Sequence, residues 1–394
     1  MASGLFETQS DDDGPSTPNS LSLVFIGSAE DGFVDAGKNF AVDGVSRIRF
    51  GRTIGGSRIY VEDDTAGIRI GIPHPWVSGE QCQVEFDWSA APTMSLRDLR
   101  SRNGTRVENN QVVGTAGLRT GQVFEVGRTF WMLRPGPPDS NETPPTEKID
   151  PLYGPLFSSL GSTLLGVAAS DVPVLVLGET GTGKERLARV LHEYSGRRGE
   201  FVPMRLGAYS DAELPGALVG SRRSSVPSLI DRADGGTLFL TDVASLSPRM
   251  QARLRSILAR ALEGRGRKRR DIRLVSASAV DLRRLVDERQ FRPELYARLA
   301  GVELALPPLR SRRDRLGAMI RSFAEARPHD GLRLSTRAFR YALSHRWPYN
   351  IRELRYALTA AQNVASDAGR INLAALEEVL RAGEQFSSDS SHIS

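Results

Sequence analysis

The sequence predicts a multidomain chain in which an all-β sandwich is followed by an α/β P-loop domain and a small all-α lid. Short alternating or apolar runs recur between turn residues from Leu21 to about Arg134, which is typical of a sandwich. From Pro151 to about Leu309, strand-like runs alternate with helical patterns, as they do around a parallel sheet. The remaining pattern, to about residue 383, is helical.

Composition limits the classes of protein to consider. At 394 residues the chain is long enough for two or three domains, and 40% hydrophobic with 25% charged residues is ordinary for a soluble globular protein. No apolar run approaches the ~20 residues of a membrane helix, and the acidic N-terminus is unlike a signal peptide. Cys82 is the only cysteine, which excludes an intramolecular disulfide and a cysteine-based metal site. We expect a cytoplasmic protein without a membrane partner.

The segments outside these domains have their own compositions. Residues 1–20 and 384–394 are polar and lack apolar periodicity, so we expect disordered tails. Residues 135–150 are predicted to be a stiff proline-rich linker. The net charge of +5 favours a nucleic-acid partner no more than it favours a general bias toward arginine.

A glycine-rich turn after an apolar run gives the strongest local signal. The apolar run Val174–Leu177 leads into Gly178-Glu179-Thr180-Gly181-Thr182-Gly183-Lys184-Glu185. The spacing is that of a P-loop, whose amides cradle phosphates while the lysine reaches the β- and γ-phosphates. Glu185 stands where Ser or Thr usually binds magnesium. The alternative is a turn that only links strand to helix.

A second strand is predicted before Asp242. The run Asp234-Gly235-Gly236-Thr237-Leu238-Phe239-Leu240-Thr241-Asp242 ends in a carboxylate at the carboxyl end of an apolar stretch. Ligands of open parallel sheets bind at that edge. Ile272–Ser276 is predicted to be a further buried strand.

Within the sandwich, three short motifs resemble a forkhead-associated (FHA) domain, which binds phosphothreonine. They are Gly51-Arg52, Val77-Ser78 and Asp98-Leu99-Arg100-Ser101-Arg102-Asn103-Gly104-Thr105, and the resemblance covers residues 21–134. It implies that Arg52 and Ser78 contact the phosphate while Arg102 and Asn103 hold the peptide backbone. The family's Ser-Arg-x-His is here Ser78-Gly79-Glu80-Gln81. The alternative is a sandwich that keeps the fold without the ligand.

Residues 151–383 resemble the AAA+ ATPase domain of sigma-54-dependent transcription activators. The P-loop, Ala233–Leu240, Phe291-Arg292 with Arg298-Leu299, and Trp347-Pro348 with Asn350–Leu354 carry the resemblance. The family boundaries imply an α/β domain over 151–315 and a helical lid over 316–383.

The resemblance implies a homo-oligomeric ring with ATP between subunits. Lys184 would hold the phosphates, Arg292 and Arg298 would act as arginine fingers, and Arg352 of the lid would sense the γ-phosphate. Surface ion pairs are the alternative for each arginine.

Several positions depart from the family. Thr241 and Asp242 replace the Asp-Glu pair, so Asp242 alone is left to bind Mg²⁺ or to polarise water, and whether ATP is hydrolysed stays open. Ser276-Ala277-Ser278-Ala279 lacks the sensor asparagine. The loop that contacts sigma-54 corresponds to Gly216-Ala217-Leu218-Val219-Gly220-Ser221, without its aromatic ring or its hydroxyl.

Two features of the sequence bear on DNA binding. The sequence ends soon after the lid, so we expect no sequence-specific DNA binding through a helix-turn-helix. The basic run Arg265–Arg270 suits a solvated turn better than a phosphate-binding patch.

Three functions are compatible with the sequence, and we favour an ATP-binding regulator of this family. The first is an ATP-binding regulator that couples recognition of a phosphothreonine protein to remodelling of sigma-54 RNA polymerase. The second is a non-hydrolysing, nucleotide-gated scaffold that acts with another activator. The third is a phosphopeptide-binding adaptor in a Ser/Thr kinase pathway.

Overall fold

The structure, a computed structural model, describes nine stretches of the chain: residues 20–64, 67–89, 92–136, 152–157, 161–220, 227–264, 269–327, 332–364 and 370–390. The chain divides into two compact units. The first comprises Met1–Ser28 and Val34–Asp139, and the second comprises Ala29–Phe33 and Ser140–Ser394. Most of the predicted N-terminal tail and linker, and four residues of the basic run, lie outside the described residues.

The first unit is a two-sheet β-sandwich, as predicted. Its strands are β1 (Leu21–Gly27), β2 (Asn39–Ala41), β3 (Arg47–Arg52), β4 (Tyr60–Asp64), β5 (Gly67–Ile72), β6 (Cys82–Asp87), β7 (Thr93–Asp98), β8 (Thr105–Val107), β9 (Asn110–Gln111), β10 (Thr115–Leu118), β11 (Val123–Val126) and β12 (Thr129–Pro135). One sheet has the order β2-β1-β12-β11-β8-β9, and the other β10-β7-β6-β3-β5-β4. Only β3 and β5 pair in parallel among these described strands.

Alternation along the strands builds the sandwich core. In β6 every second residue, Cys82, Val84 and Phe86, points inward. The Trp131 ring lies 4.8 Å from that of Phe25 in the same sheet, and 5.2 Å from that of Phe50 across the core. Burial raises the pKa of the Cys82 thiol far above its usual range.

The second unit contains a parallel five-stranded sheet with helices around it. Its strands are β13 (Val174–Leu177), β14 (Phe201–Arg205), β15 (Thr237–Thr241), β16 (Arg273–Ser278) and β17 (Val302–Ala305). Its helices are α1 (Gly154–Phe157), α2 (Gly161–Ala169), α3 (Lys184–Glu193), α4 (Leu214–Val219), α5 (Leu229–Arg232), α6 (Pro248–Glu263), α7 (Leu282–Asp287) and α8 (Pro293–Leu299). The strand order is β14-β15-β16-β13-β17.

Because these strands are parallel, their carboxyl ends meet at one edge. The P-loop follows β13, Asp242 follows β15, and Ala279 follows β16. The fold therefore gathers the residues of the predicted nucleotide site at this edge.

The helical segment that follows completes the unit. It contains α9 (Leu316–Glu325), α10 (Thr336–Ser344), α11 (Asn350–Val364) and α12 (Leu373–Ser390), and the short parallel strands β18 (Arg333–Leu334) and β19 (Arg370–Ile371). The helix α12 continues to Ser390, through positions for which the sequence predicts a disordered tail from residue 384. None of the helices in the described ranges has the length and the hydropathy needed to cross a bilayer.

A buried arginine ties two helices to the sheet. Arg273 begins β16, and its guanidinium donates to the carbonyls of Val167 and Ala168 in α2 and of Leu191 in α3. These carbonyls lie at helix carboxyl ends, where the partial negative charge favours a cation. Burial lowers the pKa of this guanidinium.

Candidate functional site

Three glycines shape the P-loop between β13 and α3. Gly178, Gly181 and Gly183 have φ angles of 157°, 82° and 102°, which side chains with a Cβ rarely adopt. A Cβ on Gly181 would lie 2.0 Å from the Tyr349 carbonyl oxygen, and one on Gly183 would lie 2.4 Å from the Tyr153 ring. The loop therefore depends on glycine for its conformation and for its close packing against neighbouring segments.

Lys184 begins α3 and lies across the loop. Its ammonium group donates to the carbonyls of Gly178 at 2.6 Å and Glu179 at 2.9 Å. Burial lowers the pKa of Lys184, and the nearby Asp242 carboxylate opposes that shift while Arg352 adds to it. The three predicted residues Lys184, Asp242 and Arg352 are thus close enough to interact electrostatically.

Thr182 and Glu185 differ in their orientation. The Thr182 side chain is buried and donates to the Glu179 carbonyl at 2.8 Å, so it braces the loop. The Glu185 side chain is exposed and pairs with Arg189 one turn along α3, at 2.8 Å. The side chain at the usual magnesium position is therefore engaged on the helix surface.

Asp242 pairs with an arginine from the neighbouring strand. Arg205 ends β14 opposite Thr241 in the parallel register, and its Nε donates to Asp242 Oδ2 at 2.7 Å. The backbone of Asp242 has the left-handed conformation, with φ 58°, and its carbonyl accepts a hydrogen bond from the Ser245 hydroxyl at 2.7 Å. Arg205, Asp242 and Ser278 share a cavity of about 540 Å³.

The start of α11 is bound to the P-loop through Asn350. This buried side chain accepts from the Leu309 amide at 2.7 Å and donates to the Thr180 carbonyl at 3.0 Å. The next amide, of Ile351, donates to the Gly181 carbonyl at 3.1 Å. Arg352 follows directly, and its Cβ lies beside Gly181.

Glu179 carries a second ion pair at the loop. Arg310 donates to its carboxylate from both terminal nitrogens, one at 2.8 Å, and Asn350 donates at 3.2 Å. The hydrogen bond from Arg310 is the main reason that the pKa of Glu179 falls to about 2. Glu179 is thus ionised at neutral pH.

The two predicted finger arginines have their contacts on α6 rather than on the P-loop. Arg292 precedes α8 and donates through Nε to the Pro248 carbonyl at 3.2 Å. Arg298 lies in the last turn of α8 and pairs with Glu263. Within one chain the fold does not bring either of them to Lys184.

The predicted sigma-54 contact segment begins in a helix. Gly216 to Val219 belong to α4, and Gly220 ends it with a φ of 77°. Ser221 lies outside the described residues.

Magnesium fits this set of donors poorly. Thr241 offers a hydroxyl where a carboxylate is expected, and Asp242 is held by Arg205. Among the described residues there is no group of three or more His, Cys, Asp or Glu side chains that could hold a metal ion. Mg²⁺ prefers one or two carboxylates that are free to coordinate.

The second candidate site lies on loops at one end of the sandwich. Arg52 ends β3, and its amide donates to the Ser78 carbonyl at 2.8 Å. The Ser78 hydroxyl accepts from the Arg102 amide at 3.0 Å, and the Asn103 side chain donates to the Trp76 carbonyl at 2.6 Å. All four predicted phosphopeptide residues are brought together on these loops.

Gln81 holds the two loops in place. It is buried, and its side chain accepts from the Ser78 amide at 2.8 Å and donates to the Ser101 hydroxyl at 2.7 Å and the Gly104 carbonyl at 2.9 Å. An amide thus does the bridging for which the resemblance predicts histidine. A Cβ on Gly51 would lie 2.1 Å from the Gly79 carbonyl, so glycine also permits the close approach.

The sequence alone does not indicate the partners of several site residues. Arg205, Arg310 and Asn350 carry the contacts of Asp242, Glu179 and the P-loop backbone. The register of two parallel strands could have indicated Arg205, because its strand end lies next to that of Thr241.

Comparison with known proteins relates both units to defined families. The family profile described as Sigma-54 interaction domain matches residues 155–305, and the FHA domain profile matches residues 48–127. The chain is 36% identical over 221 residues to the DNA-binding transcriptional regulator NtrC of Bradyrhizobium sp. (strain RP501 Parasponia). The matched region covers 52% of this chain and 46% of NtrC.

Two further similarities differ in coverage. The probable regulatory protein HrpS of the pathogenicity locus of Pseudomonas syringae pv. syringae is 36% identical over 232 residues, covering 53% of this chain and 74% of HrpS. The crystal structure of NtrX from Brucella abortus with ADP has 25% identity and a TM-score of 0.48, over 54% of this chain and 52% of that one. The chain spans about half the length of NtrC.

Proposed function

The chain belongs to the family of sigma-54-dependent transcription activators, and we propose that it is an ATP-binding regulator whose sandwich recognises phosphothreonine. The observation that carries the nucleotide part is the P-loop, with its three glycines at positive φ and Lys184 at the start of α3. Loop amides and a helix N-terminus favour phosphate, and Lys184 and Arg352 add positive charge.

Nucleotide binding is tested by calorimetry of ATP and ADP with the chain and with Lys184→Ala. We expect measurable affinity that falls at least about tenfold in the variant, because a charge-assisted hydrogen bond to phosphate is lost. Lys38→Ala is the matched control, since Lys38 is a half-exposed sandwich lysine paired with Asp35. Equal affinity in all three proteins would contradict a role for the P-loop.

The phosphothreonine part is supported by the convergence of Arg52, Ser78, Arg102 and Asn103 on adjoining loops. A guanidinium and a hydroxyl on rigid loops suit a phosphate ligand. We expect Arg52→Ala to weaken binding of phosphothreonine peptides about tenfold or more. Arg119→Ala, an exposed arginine after β10 at the opposite end of the sandwich, should leave the affinity unchanged. Equal binding of the unphosphorylated peptides would sink this assignment.

Direct action on sigma-54 RNA polymerase, as a ring with Arg292 and Arg298 as fingers, remains within this proposal. Arg292 is exposed before α8, whereas Arg298 is partly buried against Glu263 of α6 and would have to leave that pair to reach a neighbouring subunit. Analytical ultracentrifugation with and without ATP tests assembly, and Arg292→Ala should reduce any ATP hydrolysis without lowering ATP affinity. Hydrolysis unaffected by the substitution would remove Arg292 from the mechanism.

A non-hydrolysing scaffold is the second candidate function, and one observation favours it. Asp242, the residue proposed for catalysis and metal binding, is paired with Arg205. Tight binding of ATP that depends on Lys184, together with no phosphate release, would support the scaffold over the motor. If the chain bound no nucleotide, a phosphopeptide-binding adaptor would be the function that these results favour.

A further inference from the structure

Three described carboxylates at or beside the P-loop are already paired with arginines. Glu179 pairs with Arg310, and Glu185 pairs with Arg189. Asp242 pairs with Arg205. In a nucleotide site that uses Mg²⁺, the metal offsets the charge of both the phosphates and the carboxylates that hold it. In this chain arginines supply the positive charge that offsets these carboxylates.

The pair of Arg205 with Asp242 is the one that matters for a metal. The Arg205 side chain is 73% exposed and that of Asp242 43%, so the pair faces the open cavity at the carboxyl edge of the sheet. The pairing follows from the backbone, because Arg205 and Thr241 are partners in the parallel register. Asp242 is also near enough to Lys184 to influence its protonation. A bare carboxylate here would repel a nucleotide, whereas a paired one would not.

We infer that this chain binds nucleotide without a divalent cation, with Arg205 in place of the metal as the counter-charge to Asp242. The inference rests on the proposed nucleotide binding and goes beyond it by removing the cofactor. Phosphates would then meet the loop amides, Lys184 and Arg352, beside a carboxylate that is already neutralised. The hydroxyl of Thr241 is consistent with this arrangement, because a neutral group adds no charge for a metal to offset.

Calorimetry of ADP and ATP with the full chain, in excess EDTA and in excess Mg²⁺, tests the inference. We expect the two affinities of the unsubstituted chain to agree within about threefold. In Arg205→Ala the unpaired Asp242 repels phosphate and is free to take Mg²⁺. The affinity in EDTA should therefore fall about tenfold while that in Mg²⁺ is largely kept.

Two further variants separate this explanation from a general effect. Arg205→Ala combined with Asp242→Asn should return the ratio of the two affinities to that of the unsubstituted chain. Arg284→Ala is the matched control, because Arg284 is 74% exposed and pairs through Nε with Glu288 at 2.7 Å, as Arg205 does with Asp242. It should leave the ratio unchanged.

The outcomes distinguish this inference from the proposed function. Binding by the unsubstituted chain that is tenfold or more weaker in EDTA overturns the inference, as does an unchanged ratio in Arg205→Ala. Absence of binding in both solutions, with a folded chain by circular dichroism, overturns the proposed nucleotide binding itself.

Discussion

Gln81 stands where the resemblance predicts histidine, and its amide joins the loops that carry Ser78 and Gly104. Replacing it with leucine leaves several buried polar groups unsatisfied, so we expect Gln81→Leu to lower the free energy of unfolding by about 2 kcal/mol. Urea unfolding measures this change. Gln83→Leu is the control, because the Gln83 amide donates to Glu85 on the exposed side of β6. Equal losses in the two variants would contradict a bridging role.

The ion pair of Glu179 with Arg310 should make the stability of the chain depend on pH in the acidic range. The pKa of Glu179 falls from 4.5 to about 2 through Arg310, so its contribution to stability is present above about pH 4.5 and is lost as pH falls toward about 2. We expect the difference in melting temperature between the chain and Glu179→Gln to shrink over that range. The pair is exposed, so the difference at neutral pH should correspond to less than about 1 kcal/mol. A difference independent of pH would point to packing instead.

At the scale of elements, the contact between α11 and the P-loop depends on Asn350. Asn350→Asp keeps the acceptor for the Leu309 amide and suits the positive φ of 53°. It removes the donors to the Thr180 carbonyl and Glu179 and sets two carboxylates side by side. We expect a loss of about 2 kcal/mol in the free energy of unfolding.

Thermal unfolding of the full chain measures that loss. Asn110→Asp is the control, since the Asn110 side chain donates only at 3.3 Å, to the Glu108 carbonyl at an exposed turn of the sandwich. A smaller loss in Asn350→Asp than in the control would show that α11 is held to the loop by other contacts.

The elements also show how far the sequence predicts this molecule. The P-loop and β15 could be predicted because their signals are contiguous along the chain. The strand β14 is not among the strands predicted above. It contains Pro203, which disfavours a central strand and is tolerated here since β14 lies at the edge of the sheet. The pair of Arg205 with Asp242 joins residues 37 positions apart, and only the strand register brings them together.

Each of the two units has its own hydrophobic core. We therefore expect two unfolding transitions in calorimetry, each shifted by its own ligand. ADP at about 100 times its Kd should stabilise the second unit by about 2.7 kcal/mol. A phosphothreonine peptide should raise the other transition in the same way. A single transition shifted by both ligands would instead show that the two units unfold cooperatively.

Cys82, buried at the start of β6, can report the opening of the first unit in solution. A thiol reagent needs both access and a thiolate, and the folded sandwich withholds both. Since the chain has one cysteine, the rate of its modification counts openings of the sandwich alone, with no engineered label. A phosphopeptide that binds the sandwich should slow the modification of Cys82, whereas ADP should leave its rate unchanged.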